Sequence, residues 1–214
     1  MSFDIVCFDC DSTLSTLEGI DELARYYELD VNEIARLTLA AMNGDMPLES
    51  VYGRRLSEIN PDRASINWLA SRYLEEITEG AEAVCRELSS HGKELHIISS
   101  GIRQAILPLA ERLGFPRHHV HAVDLYFQEN GSYVTYDRRS PLTRSCGKAE
   151  VCKLLLEPGK TLLMVGDSAS DLAAKQSGVA VLGFGGVVER AKVREQADFY
   201  CSAPSLTTIL PHIL

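Results

Sequence analysis

What the chain lacks narrows its class before any motif is read. No apolar run approaches the ~18 residues of a membrane span, and the stretch MSFDIVCFD carries no basic leader ahead of a long apolar segment. These absences predict a soluble, cytoplasmic protein. Basic residues are in deficit: 21 Lys and Arg against 30 Asp and Glu, a net charge of −9. Such a chain offers no basic face to nucleic acid or to an anionic membrane, and it can hold a phosphate only with a local cation to offset its field. Repeats and low-complexity segments are missing. The six cysteines (7, 10, 85, 146, 152 and 201) are scattered through a 214-residue chain that is 45% hydrophobic. A core of that size needs no disulfide framework, so reduced thiols are expected. Cys7 and Cys10 spell CxxC. Cys7, however, lies inside an apolar run, whereas a redox CxxC opens a helix, and no second CxxC completes a zinc site.

Short continuous apolar runs recur at Phe3–Phe8, Leu95–Ile98, Leu162–Val165 and Val179–Phe184, with Phe199-Tyr200 starting a further one. Continuity, in place of alternation, marks strands buried on both faces of a parallel sheet. Helical stripes lie between them: Ala81/Val84/Cys85/Leu88, then Ile102/Ala105/Ile106/Leu109/Leu113 with a kink expected at Pro108, then Val151/Leu154/Leu155. Strands alternating with helices predict an open α/β fold with a doubly wound parallel sheet, whose ligands sit at the carboxyl ends of the strands.

Two interruptions break this pattern. Between the first and second strands run four amphipathic segments: Ile20/Leu23/Ala24/Tyr27, Val31/Ile34/Ala35/Thr38/Met42, Leu48/Val51/Tyr52/Leu56/Ile59 and Ile66/Leu69/Tyr73/Ile77. Gly44, Pro47 and Asn60-Pro61 punctuate them. They predict a helical-bundle cap over 16–79, inserted into a core of 1–15 plus 80–214 and able to act as a lid. Trp68 lies in this cap and is read as packing. The second interruption is an antiparallel β-hairpin over 121–137, signalled by alternating Val123, Leu125 and Phe127, the turn Asn130-Gly131 and the return Tyr133–Tyr136. Leu206, Ile209, Leu210 and Ile213 have helical spacing.

Chemistry-bearing residues gather at the ends of these elements. Asp9 and Asp11 follow the first strand, Ser99-Ser100-Gly101 the second, and Asp167 and Asp171 another, while Lys148 opens a helix. Singly, each has an ordinary explanation as a helix cap or turn. Together they suit phosphoryl transfer. Several carboxylates tolerate a phosphate only around a divalent cation such as Mg²⁺. An aspartate can attack phosphorus, a second carboxyl can move protons, and an amine and a hydroxyl can hold the phosphoryl oxygens.

These motifs, DCDST from Asp9, Ser99, Lys148 and GDSASD from Gly166, resemble those of the haloacid dehalogenase superfamily in its phosphatase branch. DSTLSTLEGIDELA, AMNG, Arg55, IISSG, CGK and GFGGVV are similar to the phosphoserine phosphatase family along nearly the whole chain. The resemblance implies a Rossmann-like core and Mg²⁺-dependent hydrolysis of a small phosphorylated metabolite, phosphoserine foremost, through an aspartyl-phosphate. It implies Asp9 as nucleophile and metal ligand, Asp11 as acid/base and metal ligand through its carbonyl, and Asp167 as the remaining ligand. Ser170 and Asp171 would support them. Ser99, Ser100, Gly101 and Lys148 would bind phosphate, with Glu18 meeting the substrate ammonium, Arg55 its carboxylate, and Met42 and Gly44 lining the pocket. Arg54 stands beside Arg55 as a rival for that role.

Ser100 and Ser168 stand where the family usually has glycine, Leu48 where it has phenylalanine, and Val51-Tyr52 where it has Ser-Leu. These departures leave room for another small phosphomonoester. A third reading, a non-catalytic phospho-acceptor module like a receiver domain, leaves the +2 aspartate and the helical insertion without a purpose. His118-His119-Val120-His121 lacks a cysteine or carboxylate at zinc-ligand spacing and is read as a loop. Gly183-Phe184-Gly185-Gly186 lacks the spacing of a phosphate loop and is read as a turn.

Overall fold

The computed structural model describes residues 3–214; Met1 and Ser2, at the start of the MSFDIVCFD stretch, lie outside the described residues, as does the side chain of Val31. Six strands form one parallel sheet: β1 (Ile5–Phe8), β2 (Glu94–Ile102), β3 (Val120–Val123), β6 (Leu162–Gly166), β7 (Ala180–Phe184) and β8 (Phe199–Cys201). Their spatial order is β3-β2-β1-β6-β7-β8, and every pairing is parallel. All residues of β1 and β6 are buried, as continuous apolar runs require of central strands covered on both faces. β4 (Leu125–Phe127) and β5 (Tyr133–Tyr136) make a separate antiparallel pair.

Among the described residues ten α-helices accompany the sheet: α1 (Gly19–Tyr26), α2 (Val31–Asn43), α3 (Leu48–Ile59), α4 (Arg63–Glu75), α5 (Ala81–Ser90), α6 (Arg103–Arg112), α7 (Gly147–Leu155), α8 (Ala169–Leu172), α9 (Ala191–Gln196) and α10 (Leu210–Ile213). The four amphipathic segments after β1 are α1–α4, with Leu23, Leu48, Tyr52, Leu56, Leu69 and Tyr73 buried. Local chemistry sets their ends. Asp30 and Asp62 cap α2 and α4 through their carboxylates, and Gly44 closes α2 at φ 78°, a left-handed conformation that costs glycine least. Trp68 packs on Tyr26, with ring centroids 4.8 Å apart. No helix among the described residues is long and apolar enough to cross a membrane.

Three expectations shift. Val123 belongs to β3, at the edge of the large sheet, so the hairpin begins only at Leu125; alternation cannot tell which partner a strand will pair with. Leu154 is 83% exposed, and α7 buries Val151 and Cys152 instead. Ser99, Ser100 and Gly101 lie within β2 and do not follow it; its pairing with β3 shifts register between Ile98 and Ile102.

Strand register gathers the site. Phe8 is level with Ile97 on one side and Val165 on the other. Asp9 follows Phe8 directly, while Ser99 and Asp167 stand two residues beyond their partners. All three therefore reach the same edge within a residue or two of rise. Strand order reverses between β1 and β6, which opens a crevice there, the usual ligand position in such sheets.

Candidate active site

Asp9 ends β1 and is almost wholly buried. Its Oδ1 accepts from the N–H of Cys10 at 2.7 Å, and its Oδ2 lies 2.7 Å from Lys148 Nζ. Lys148, in the first turn of α7, is buried and also reaches Asp171 Oδ1 at 2.6 Å. Burial alone would push the ammonium's pKa down; the two carboxylates, Asp171 and Asp9, hold it above its ordinary value. Asp9 is pushed up to about 8, chiefly by burial, against the pull of Lys148.

Asp171 is fully buried with both oxygens engaged: Lys148 on one, the N–H and hydroxyl of Ser168 on the other at 3.0 and 2.5 Å. Ser168 thus closes a capping box on α8. Ser170 joins it through a 2.9 Å hydroxyl contact. Gly166 makes room for this arrangement, since a Cβ there would meet the Asp171 carboxyl at 2.2 Å.

Asp11 turns towards the helices. Its Oδ2 accepts from the N–H of Gly19 at 3.0 Å and its Oδ1 from Tyr73 Oη at 2.5 Å. Burial raises its pKa, and these two donors counter that rise. Gly19 is again a matter of space, because a Cβ would stand 2.2 Å from Tyr73 Oη. Ser12, at φ 53°, turns the chain so that its hydroxyl donates to Glu18 Oε1 at 2.8 Å. Glu18 is lifted to about 7, first by burial and then by Asp11.

One cavity of about 30 Å³ brings together Asp9, Asp11, Glu18, Ile20, Met42, Arg55, Ser99, Ser100, Gly101, Lys148, Asp167 and Ser170. That is room for only a few water molecules, so the helices close over the strand ends. Tyr52 Oη donates to the Ser100 carbonyl at 2.9 Å, and the Leu48 N–H donates to Ser145 Oγ at 2.9 Å, fastening α3 to the core. Ser99 Oγ accepts from the N–H of Gly101 at 2.9 Å. Ser100 Oγ is buried without a partner.

Arg55 is buried. Its Nη1 donates to Thr38 Oγ1 at 2.8 Å, that hydroxyl donates to Asp21 Oδ1 at 2.7 Å, and Nε has no partner among the described residues. Arg54 is exposed and paired with Glu33 and Glu58. Gly44 lies apart. It lines a neighbouring cavity of about 350 Å³ with Leu48, Cys146, Ala169 and Lys192, which Met42 and Ser170 also border.

Two residues at this site have no sequence signal of their own. Tyr73 was legible only as one apolar position of a helical stripe. Arg190, beyond the glycine-rich turn after β7, is buried and donates from Nε to Asp167 Oδ2 at 2.9 Å, from Nη1 to Asn43 Oδ1 at 3.3 Å and from Nη2 to Glu18 Oε1 at 3.5 Å. Asp167 is nonetheless raised well above its ordinary pKa, by burial first and then by Glu18.

Asp9, Asp167 and Asp171 each present a carboxylate oxygen, all within 4.8 Å of one another. Hard anionic oxygens gathered in a buried crevice suit a small divalent cation of the Mg²⁺ type. Of the three, Asp9 and Asp167 line the cavity, whereas Asp171 lies behind it with both oxygens engaged by Lys148 and Ser168. Among the described residues, all six cysteines are free thiols, and Cys7 and Cys10 are both buried. The opening CxxC thus packs beside the crevice, and Asp9 supplies the polar chemistry.

Residues 6–175 match the model of the family described as haloacid dehalogenase-like hydrolase. The chain is 36% identical over 201 residues to a phosphoserine phosphatase of Bos taurus, covering 93% of this chain and 89% of that one. To a chloroplastic phosphoserine phosphatase of Arabidopsis thaliana it is 35% identical, covering 92% and 68%. A solved phospho-aspartyl intermediate analogue of phosphoserine phosphatase superposes with a TM-score of 0.85 at 25% identity over the whole of both chains. A phosphoserine phosphohydrolase-like protein from Francisella tularensis shares the fold, with a TM-score of 0.88 at 22% identity over both chains. Motif order, crevice and relatives agree: the chain belongs to the haloacid dehalogenase-like hydrolases, in the phosphoserine phosphatase branch of that family.

Proposed function

We propose that the protein hydrolyses L-phosphoserine to L-serine and inorganic phosphate, with Asp9 as nucleophile. Asp9 Oδ attacks phosphorus, an aspartyl-phosphate forms, and the seryl oxygen departs with a proton from Asp11. Asp11 then takes a proton from the water that cleaves the acyl phosphate, which frees Asp9. Lys148, kept charged by two carboxylates, and Ser99 hold the phosphoryl oxygens. Mg²⁺ held by Asp9 and Asp167, with the Asp11 carbonyl, would supply the positive charge that lets a phosphate approach these carboxylates.

The observation that carries the substrate is the unpartnered Nε of Arg55 in the same cavity as Glu18. A buried guanidinium donor without a partner is costly, and a substrate carboxylate would complete it. Glu18 is an acceptor for the ammonium. Three charged handles on one small molecule thus meet Lys148, Arg55 and Glu18. Because the cavity is so small, the helices must part to admit the substrate.

Steady-state phosphate release in Mg²⁺ tests this. L-Phosphoserine should exceed phosphoethanolamine, which lacks the carboxylate, and phosphoglycerate, which lacks the amine, by large factors in kcat/KM. Equal turnover of either analogue would point to the other small phosphomonoester that the changes at Ser100 and Leu48 leave open. A stable phosphoprotein with no turnover would favour the phospho-acceptor module.

A further inference from the structure

At the amino end of β2, remote from the crevice, a second group of ligating side chains comes together. Glu94 opens the strand, His96 follows on the same face, and His119 ends the 3₁₀ turn (Arg117–His119) that leads into β3. Ser99 is five positions beyond Glu94, ~16 Å along the strand. Each of Glu94, His96 and His119 offers one ligand atom, and the three atoms lie within 4.8 Å of one another.

The geometry points to a site for a divalent transition cation, fitted best by Zn²⁺, held by Glu94, His96 and His119 with His121 orienting His96. Two imidazoles and a carboxylate are a familiar Zn²⁺ donor set, with bonds of ~2.0–2.2 Å and a fourth position left to water. The hydrogen bonds set the tautomers this requires. His119 Nδ1 is 2.9 Å from the Leu95 carbonyl, so it must carry the proton there, and Nε2 keeps its lone pair. His96 Nε2 faces Glu94 Oε1 at 3.0 Å, and its Nδ1 faces His121 Nε2 at 3.2 Å.

Without the ion, the His96 Nε2–H donates to Glu94. With it, the proton resides on Nδ1 and donates to His121 Nε2, whose own proton moves to Nδ1. No proton is lost. Lys160 pairs with the other Glu94 oxygen at 3.2 Å and leaves Oε1 to the cation. The rings of His96 and His119 are stacked, with planes 23° apart and centroids at 4.1 Å, so the His119 ring swings out of the stack when both nitrogens share one ion. Burial holds His96 and His121 below the ordinary histidine pKa, so both are neutral ligands or partners at pH 7. Sequence spacing hid this site because Glu94 and His119 meet only through parallel pairing of β2 with β3.

The test is Zn²⁺ stoichiometry on the full chain, stripped with chelator and re-equilibrated with Zn²⁺ in excess Mg²⁺, alongside Co²⁺ titration followed by visible absorption. Wild type should keep one Zn²⁺ more per chain than His119→Ala or Glu94→Gln, and show an intense low-coordination Co²⁺ band that both variants lose. His121→Asn should weaken binding by ~10–100-fold. Phosphate release by His119→Ala in Mg²⁺ should be unchanged. Equal Zn²⁺ in wild type and both variants, or no such Co²⁺ band, would overturn the site. The isosteric Glu94→Gln change, outside the turn, keeps the result readable should His119→Ala disturb it.

Discussion

Arg190 Nε lies 2.9 Å from Asp167 Oδ2, and the same guanidinium reaches Glu18 across the cavity. One cation thus bridges a core carboxylate to a carboxylate at the start of α1, and both are buried or nearly so. In a cavity lined by four acidic side chains, Asp9, Asp11, Glu18 and Asp167, it offsets charge that would otherwise hold the helices off the sheet.

Arg190→Leu should therefore destabilise the metal-free protein by ~3 kcal/mol. That is the low end for breaking a buried pair, because Asp167 can take up a proton instead. Mg²⁺ should raise the melting temperature of the variant more than that of wild type. Thermal unfolding in chelator and in Mg²⁺ measures both shifts; identical Mg²⁺ responses would dissociate Arg190 from the acidic crevice.

Tyr73→Phe removes the hydroxyl 2.5 Å from Asp11 Oδ1. A hydrogen bond to a charged group contributes ~1.5–3 kcal/mol, so kcat should fall by about 10- to 100-fold. The lost donor had been lowering the Asp11 pKa, so that pKa should rise. The basic limb of the pH–rate profile, which reports loss of the Asp11 proton, should move to higher pH. An unmoved limb would assign it to another group.

For Arg55→Ala, kcat/KM towards L-phosphoserine should drop by about 100-fold or more while phosphoethanolamine is affected only slightly. Arg55→Lys should not rescue, because an ammonium cannot replace the guanidinium's planar fork of donors. A uniform loss on both substrates would mean that Arg55 maintains the cap and does not read the carboxylate.

Asp9→Asn should abolish phosphate release and any acid-stable phosphoprotein trapped from substrate. The variant should still fold: the amide oxygen can accept from the Cys10 N–H, and Lys148, which the amide NH2 would then face, keeps its pairing with Asp171. Mass spectrometry of quenched reactions reads this directly, and residual turnover in the variant would move the nucleophile elsewhere.

Stability should fall on acidification through the histidines of β2 and β3. His121 is pushed down to about 4, by burial first and then by His96. Its unfolded value is ~6.5. Between these values the unfolded chain binds more protons, so stability rises with pH across the window and is lost as pH drops from about 6.5 towards 4. The slope is at most ~1.4 kcal/mol per pH unit, less what partial exposure screens. Denaturant titrations at stepped pH should show a shallower slope for His121→Asn; an unchanged slope would place the proton uptake on other groups.

Much of this was legible from residue order. Central strands read clearly because burial on both faces demands unbroken apolar runs, as in Leu162–Val165. The helices over the crevice read clearly because one-sided burial imposes a 3.6-residue stripe. Asp9, Asp167 and Lys148 could be grouped because each sits at the end of an element, and Ser99 because it lies near the carboxyl end of β2; a parallel sheet aligns those ends. Local periodicity was silent where a choice of partner was needed. It could not assign Val123 to the sheet edge, keep Leu154 out of the core, or decide between Arg54 and Arg55.

Elements and their chemistry are thus written in short-range order, because hydrophobic spacing and capping act over a few residues. The Arg190–Asp167 bridge, the Tyr73–Asp11 contact, the position of Gly44 outside the main cavity and the Glu94–His96–His119 cluster exist only after folding. Each depends on register and packing between segments far apart in the chain, and no local pattern carries that information.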